Sequence, residues 1–284
     1  MEIIGTNKTM TFSPSLKTAS DPSLNRENLP TMYDLPSDNP EDSGLPDEFH
    51  FFQPLLLYLT FQPLNWPPEM VFSAVDLNLY YDLQHPLWYK RPDWFGVVGI
   101  SKLYDGRDGD NLRLSYVTWQ ELVNPFVIVE LLSSGTEDED LGNKEGKPNK
   151  PPTKWDVYES ILQIPYYIIY SRYTYEMQGF QLVNGKYQEM NLTQGKIQIP
   201  ELGLSIGLWE GTFRGIEKQW LRWFTITGEL ILEPSEETTM LEERVEIAEE
   251  RAEIAAQEAN EAKRKAAILA EKLRQLGINP DELL

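Results

Sequence analysis

Cysteine is absent from this 284-residue chain, and histidine occurs only twice, at His50 and His85. The lack of cysteine excludes disulfides, thiolate zinc sites and cysteine nucleophiles. With two histidines, a Ser-His-Asp triad or a histidine-rich metal site is disfavoured. The side chains left for chemistry are mainly carboxylates and lysines, and oxygen ligands suit Mg²⁺, Mn²⁺ or Ca²⁺.

Long apolar segments are absent too. No apolar run approaches the roughly 18 residues that span a bilayer, and residues 1–12 lack the apolar block of a signal peptide. We therefore expect a cytoplasmic protein with no membrane segment. Hydrophobic residues still make up 41% of the chain and aromatic residues 12%, which predicts a substantial packed core.

Basic residues are scarce relative to acidic ones. The chain has 25 Lys and Arg against 45 Asp and Glu, a formal net charge of −20. From Glu236 onward there are 13 acidic and 7 basic residues, a net of −6, so the preceding body carries −14. Nucleic-acid-binding proteins usually display a basic surface. Either basic residues cluster on one face of this protein, or nucleic acid is not its main partner.

Two carboxylates interrupt apolar segments that are predicted to be buried strands. The segment Phe126–Ser133 is short and rich in β-branched residues, and it carries Glu130 near its centre. Asp93 begins another apolar strand directly after a proline. A buried carboxylate costs several kcal/mol unless it is paired, protonated or bound to a metal ion. Two of them on neighbouring core strands predict a cation site.

Lys154 lies where local helix physics does not favour a cation. Thr153 and Asp156 form a capping pattern, which predicts a helix that starts here and ends at Pro165. Lys154 thus occupies the first helical turn, where the helix dipole disfavours a positive charge by a few tenths of a kcal/mol. An anionic cluster nearby would explain its presence.

Three segments in this order resemble a known family: Pro-Asp at Asp93, Val-Glu-Leu-Leu-Ser around Glu130, and Lys-x-x-x-Tyr from Lys154. They resemble the Uma2 family of restriction-endonuclease-like proteins, within the PD-(D/E)xK nuclease superfamily. The resemblance covers roughly Leu45 to Leu232. It implies an α/β (α+β) fold, a restriction-endonuclease-like mixed sheet flanked by helices, with a C-terminal β-layer and a long C-terminal coiled-coil helix.

The resemblance also implies an activity, the metal-dependent hydrolysis of phosphodiester bonds in DNA. Asp93 and Glu130 would bind Mg²⁺ or Mn²⁺, and Lys154 would orient or activate water and offset charge in the transition state. The superfamily usually places its lysine two residues after the acidic residue, where this chain has Leu132. The family resemblance assigns the displaced lysine to Lys154.

Three further acids are candidates for supporting roles. The resemblance suggests Glu48, on the first helix, and Asp140, within the acidic run 137–140. Alternatively, Glu48 complements the helix dipole and the acidic run is a solvated surface. Asp76 lies inside a strand predicted over Met70–Tyr81, either as a supporting acid or as the polar position of a half-exposed strand.

Composition divides the chain into a flexible N-terminal arm (1–44), a restriction-endonuclease-like domain (45–235) and a helical tail (236–284). Hydrophobic and alanine residues repeat with 4-3 spacing over residues 239–276, which predicts a coiled coil that joins copies of the chain into a homo-oligomer. Within the domain, Gly179–Met190 predicts a β-hairpin with a type I′ turn.

A rival function belongs to a different class of protein. The chain can instead be a catalytically inactive nuclease-fold scaffold or interaction protein that assembles through its coiled coil. The acidic charge and Leu132 favour this alternative, whereas Asp93, Glu130 and Lys154 favour an enzyme acting on DNA.

Overall fold

The computed structural model describes residues 47–105, 111–133, 137–143 and 150–277. The predicted N-terminal arm, residues 1–44, lies outside the described residues. The described strands are, in chain order, β1 (Val71–Val75), β2 (Leu79–Tyr80), β3 (Tyr89–Lys90), β4 (Trp94–Val98), β5 (Tyr116–Val117), β6 (Val127–Leu131), β7 (Tyr166–Tyr170), β8 (Met177–Val183), β9 (Lys186–Glu189), β10 (Lys196–Ile199), β11 (Leu204–Phe213) and β12 (Ile216–Thr225). The described α-helices are α1 (Phe49–Thr60), α2 (Thr118–Glu121), α3 (Glu137–Asp140), α4 (Lys154–Asp156) and α5 (Pro234–Gln275).

A six-stranded mixed sheet in the order β1-β4-β6-β7-β8-β9 forms the centre of the fold. Strands β6 and β7 are parallel, and the other neighbours are antiparallel. A parallel pair needs a long crossover connection between its strands. Here that crossover contains α3 and α4; it leaves the sheet at the carboxyl end of β6 and re-enters it at Tyr166, beside Val127 at the amino end of β6.

Side chains alternate between the two faces of this sheet and build two hydrophobic cores. Val127, Val129 and Leu131 of β6 face the first core, together with α1 and the β10-β11-β12 sheet. Ile128 faces the second core, which includes side chains from β2, β5 and the α4 region. The mixed α/β architecture predicted from the sequence is confirmed.

The predicted β-hairpin is confirmed as well. The β8–β9 hairpin turns at Asn184 and Gly185, with φ angles of 53° and 79°, as a type I′ turn requires. Trp220 and Trp223 are fully buried between the β10-β11-β12 sheet and the rest of the first core. Both indole rings therefore pack the β-layer against that core.

The predicted strand over Met70–Tyr81 is wrong as a single element. It breaks at Asp76, whose φ of 48° is left-handed and cannot continue a strand. The segment becomes β1, in the central sheet, and β2, in a small sheet of order β3-β2-β5.

The tail forms one helix of 42 residues, α5, and all of its side chains are exposed or half-buried. Glu236 in its first turn pairs with the buried Arg222 guanidinium at 2.7 Å, which attaches the start of the helix to the domain. No helix among the described residues is long and apolar enough to cross a membrane.

Candidate active site

The register of β4 and β6 brings the first two predicted site residues together. Trp94 lies opposite Val129 and Phe95 opposite Ile128, so Asp93 lies opposite Glu130, one step further along the antiparallel pair. Their backbones and side chains are cross-linked. The Asp93 N–H donates to Glu130 Oε2 at 3.3 Å, and the N–H of Leu131 donates to Asp93 Oδ2 at 2.6 Å.

Glu130 is completely buried and points to the second core face, the same face as Ile128. Its Oε2 accepts a hydrogen bond from Lys154 Nζ at 3.0 Å, and its Oε1 accepts one from the Tyr158 hydroxyl at 2.8 Å. A buried carboxylate is tolerated when it is paired and hydrogen-bonded, and both conditions are met here.

Lys154 enters the cluster from the start of α4, as the sequence predicts. Thr153 Oγ1 accepts a hydrogen bond from the Asp156 N–H at 3.1 Å, which caps the helix. The Lys154 ammonium lies 3.0 Å from Glu130 Oε2 and 2.9 Å from Asp140 Oδ1, so the anionic cluster expected near this lysine is present. The unfavourable position of a lysine in a first helical turn is thus offset by two carboxylates.

The interpretation of residues 137–140 as a solvated acidic surface is wrong for the last of them. Asp140 is fully buried at the end of the short helix α3, because the crossover folds that end against the sheet. The Tyr167 hydroxyl donates to the Asp140 carbonyl at 2.9 Å and fixes the end of this helix. Glu137 and Asp138 are exposed, so one short helix carries both solvated and buried acids.

Burial and mutual charge strongly perturb the ionisation of this cluster. Burial raises the pKa of Glu130 well above its ordinary value, although the Lys154 charge opposes the shift. Burial also raises the pKa of Asp93, again against the Lys154 charge. Burial alone would lower the pKa of Lys154, but the carboxylates of Asp140, Glu130 and Asp93 raise it well above its usual 10.5. Lys154 therefore remains an ammonium, and Glu130 holds a proton to a higher pH than an exposed glutamate does.

Tyr158 is a site residue whose role the sequence pattern did not reveal. It follows Lys154 by four residues, and the helix passes through a π-type turn over Val157–Ile161. Such turns occur frequently at functional sites. Burial and the Glu130 carboxylate raise the pKa of Tyr158 well above its ordinary value, so the hydroxyl remains a donor to Glu130. The Lys-x-x-x-Tyr spacing could have indicated that Tyr158 lies on the same side of the helix as Lys154, since residues four apart share one helix face.

Two further contacts surround the cluster. Glu139 Oε1 accepts hydrogen bonds from Lys90 Nζ at 2.8 Å and from the Lys154 N–H at 3.2 Å, which ties β3, α3 and α4 together. On the opposite side, His50 Nε2 lies 3.3 Å from the Leu131 carbonyl oxygen, and His50 Nδ1 lies 3.0 Å from Asp47 Oδ1.

Two of the three auxiliary candidates lie away from the cluster. Glu48 is exposed before α1 and makes no side-chain cap there. Asp76 forms an ion pair with Arg91 and lies in the left-handed bend after β1. Leu132 is half-buried against the second core, which explains why this position accommodates an apolar side chain.

Three other lysines, Lys144, Lys147 and Lys150, precede Lys154 in the same connection. Lys150 is exposed. Lys144 and Lys147 lie outside the described residues.

The carboxylate oxygens of this cluster suit a hard divalent cation that keeps part of its hydration shell. Among the described residues, no three His, Asp or Glu side chains are arranged to enclose an ion on their own. Mg²⁺ is commonly held by one or two carboxylates, with water and substrate phosphate as the other ligands. Asp140 Oδ1 is buried beside the Lys154 ammonium at 2.9 Å, and the buried Oδ2 accepts no hydrogen bond among the described residues. The site therefore has a carboxylate oxygen that a cation or a bound water can satisfy.

A family model covers the part of the chain that contains this cluster. No curated protein matches the chain. The family model Uma2, described as "Putative restriction endonuclease", matches residues 27–216, which is about two thirds of the chain and includes Asp93, Glu130, Asp140 and Lys154. This match supports a nuclease-like role and DNA as the class of substrate. The chain belongs to the Uma2 family of restriction-endonuclease-like proteins.

Proposed function

We propose that this protein is a metal-dependent endonuclease that hydrolyses phosphodiester bonds in DNA. One observation carries the proposal: a half-buried lysine, Lys154, contacts the buried carboxylates of Glu130 and Asp140 directly beside Asp93. Three carboxylates around one ammonium leave an excess of negative charge in a region of low dielectric constant. Such a cluster attracts a cation, and the family supplies the class of reaction.

Asp93 and Glu130 are the residues that would hold Mg²⁺ or Mn²⁺, with Asp140 next to them. When bound, the ion supplies Lewis-acid polarisation of the scissile phosphate and lowers the pKa of water. Lys154 donates a hydrogen bond to Glu130 and pairs with Asp140 in the structure, and its remaining ammonium proton is suited to orient a water molecule or a phosphate oxygen. Its positive charge also offsets charge that develops in the transition state.

Tyr158 and the strand backbone keep these groups in place. The Tyr158 hydroxyl fixes Glu130 Oε1, and the Leu131 N–H fixes Asp93 Oδ2. Both donors belong to rigid, buried segments, so little reorganisation is needed when the substrate arrives.

The decisive lysine experiment compares Lys154→Ala with Lys150→Ala in a cleavage assay with Mn²⁺ and DNA. Lys150 is exposed, so its removal takes the same charge from the chain without touching the cluster. We expect Lys154→Ala to lose cleavage while keeping its fold by circular dichroism and its affinity for Mn²⁺. Equal activity of the two variants would refute the catalytic role of Lys154.

A second function, that of an assembling scaffold, is favoured by the tail. The seam residues of α5 are largely exposed in the single chain, for example Leu241 at 55%, Val245 at 56% and Leu269 at 60%. A helix with an exposed hydrophobic seam gains stability when it pairs with another helix. If wild type shows no cleavage with either metal but assembles through residues 239–276, the scaffold function replaces the enzymatic one.

A further inference from the structure

The turn between β7 and β8 brings an arginine and two exposed tyrosines to the catalytic edge of the sheet. The turn consists of Arg172–Tyr175, and the side chains of Tyr173 and Tyr175 are 63% and 44% exposed. Single exposed aromatics are ordinary on protein surfaces. Two in one four-residue turn, together with an arginine, form a compact aromatic and cationic surface.

The position of the turn follows from the parallel pairing of β6 and β7. Leu131 lies opposite Tyr170, and the Leu132 N–H donates to the Tyr170 carbonyl at 2.8 Å. Because parallel strands end at the same edge, the turn emerges next to the end of β6 that carries Glu130. Along the strand direction, Glu130 and the turn are separated by three or four residues; at about 3.3 Å per residue, that distance is on the order of 10 Å. That is far shorter than one turn of duplex DNA, roughly 35 Å.

The turn is held in a defined conformation. The Ser171 N–H donates to the Glu176 carbonyl at 3.0 Å and closes the turn. Tyr175 has a φ of 57°, which is unusual for a bulky residue and needs surrounding contacts to persist. Arg172 Nη2 donates to the Tyr173 hydroxyl at 2.9 Å, and its guanidinium lies 4.7 Å from the centre of the Tyr173 ring. The exposed ring is therefore preorganised, which reduces the entropy lost on binding.

Two cations lie close together near this turn, on a chain that is acidic overall. The Arg172 guanidinium and the Lys218 ammonium each lie 5.6 Å from the centre of the Phe49 ring. Arg172 also pairs with Asp47 Oδ2 at 2.6 Å, and Asp47 contacts His50, which reaches the Leu131 carbonyl. Cations and aromatic faces side by side are the combination with which proteins hold unpaired nucleotides.

We propose that the Arg172–Tyr175 turn binds an unpaired nucleotide of the substrate, whose base stacks on Tyr173, beside the site of cleavage. The inference rests on the proposed nuclease function and narrows its substrate to DNA with an unpaired stretch near the scissile bond. Stacking does not depend on base identity, so the preference is for unpaired structure and not for sequence. Duplex DNA keeps its bases stacked on each other and offers Tyr173 no free face.

The test measures the binding of fluorescein-labelled oligonucleotides by fluorescence anisotropy, at low ionic strength and without divalent metal, so that no cleavage occurs. The probes are a single-stranded oligonucleotide and its blunt duplex. The variants are Tyr173→Leu, Tyr173→Phe and the matched control Tyr58→Leu, which removes another exposed tyrosine, from the far end of α1. All are full-length chains, and circular dichroism confirms that they are folded.

We expect wild type to bind the single strand more tightly than the duplex. Tyr173→Leu should weaken single-strand binding by at least about fivefold, whereas Tyr173→Phe and Tyr58→Leu should match wild type. Unchanged single-strand affinity in Tyr173→Leu, or a wild-type preference for duplex, overturns the inference. Because this readout is binding, it separates the two proposals: a Tyr173-dependent preference without any cleavage would contradict only the nuclease activity.

Discussion

Replacing Lys154 by methionine removes the ammonium but keeps most of the side-chain volume. In the structure this ammonium contacts Glu130 at 3.0 Å and Asp140 at 2.9 Å, and only 16% of the lysine side chain is exposed. The variant therefore leaves three neighbouring carboxylates, those of Asp93, Glu130 and Asp140, without their buried counter-charge. Removal of one partner from a buried ion pair typically costs 3–5 kcal/mol, roughly.

For Lys154→Met we expect a loss of unfolding free energy at the lower end of that range. Glu130 already has a raised pKa, so it can take up a proton and relieve part of the repulsion. We expect metal-free Lys154→Met to lose about 3 kcal/mol of unfolding free energy at neutral pH. For a domain of this size the loss corresponds to a melting temperature lower by about 6–12 °C.

The assay is urea denaturation in the presence of EDTA, followed by tryptophan fluorescence and circular dichroism. Lys150→Met is the control, because Lys150 is exposed, and its change should stay within about 0.5 kcal/mol. Adding Glu130→Gln to Lys154→Met should restore part of the loss, since it removes one uncompensated carboxylate. A loss below about 1 kcal/mol in Lys154→Met would refute the cluster as a buried charge network.

Three further predictions concern pH, metal and assembly. Burial raises the folded-state pKa of Glu130 above the unfolded value of 4.5, so metal-free wild type should lose stability as pH rises from 4.5 through the folded pKa. The variant Glu130→Gln should lack this pH-dependent contribution and should be equally or more stable than wild type at neutral pH. Parallel pH profiles of unfolding free energy for the two proteins would contradict this prediction. Calorimetry should show that Asp93→Ala and Glu130→Ala each lose affinity for Mn²⁺, and unchanged affinity in both would place the metal elsewhere. Deletion of Met240–Leu284, which retains Glu236 as the partner of Arg222, should lower the mass by light scattering and leave the domain folded; an unchanged mass would exclude assembly through the tail.

The strands that carry the site could be predicted from the sequence because they are short, β-branched and apolar on both faces. The same reasoning located Asp93 and Glu130, since a carboxylate inside such a strand needs a partner. Lys154 could be predicted from the conflict between its charge and the helix dipole, together with the family pattern.

Asp140 shows where local reasoning stops. Four consecutive acids are typical of a solvated surface, and no local property distinguishes the last from the first. Only the crossover between two parallel strands turns Asp140 toward Lys154 and leaves Asp138 in solvent. The left-handed backbone at Asp76 was missed for a similar reason, because its neighbours favour a continuous strand.

The most direct measurement of the central claim is cleavage of supercoiled plasmid DNA by wild type and by Asp93→Ala, with Mn²⁺ and with EDTA. Asp138→Ala is the matched control, since it removes an exposed acid of the same type. We predict nicked and linear products from wild type and Asp138→Ala with Mn²⁺ only, and none from Asp93→Ala. Cleavage by Asp93→Ala at the wild-type rate, or its persistence in EDTA, would contradict a metal-dependent nuclease site at this cluster.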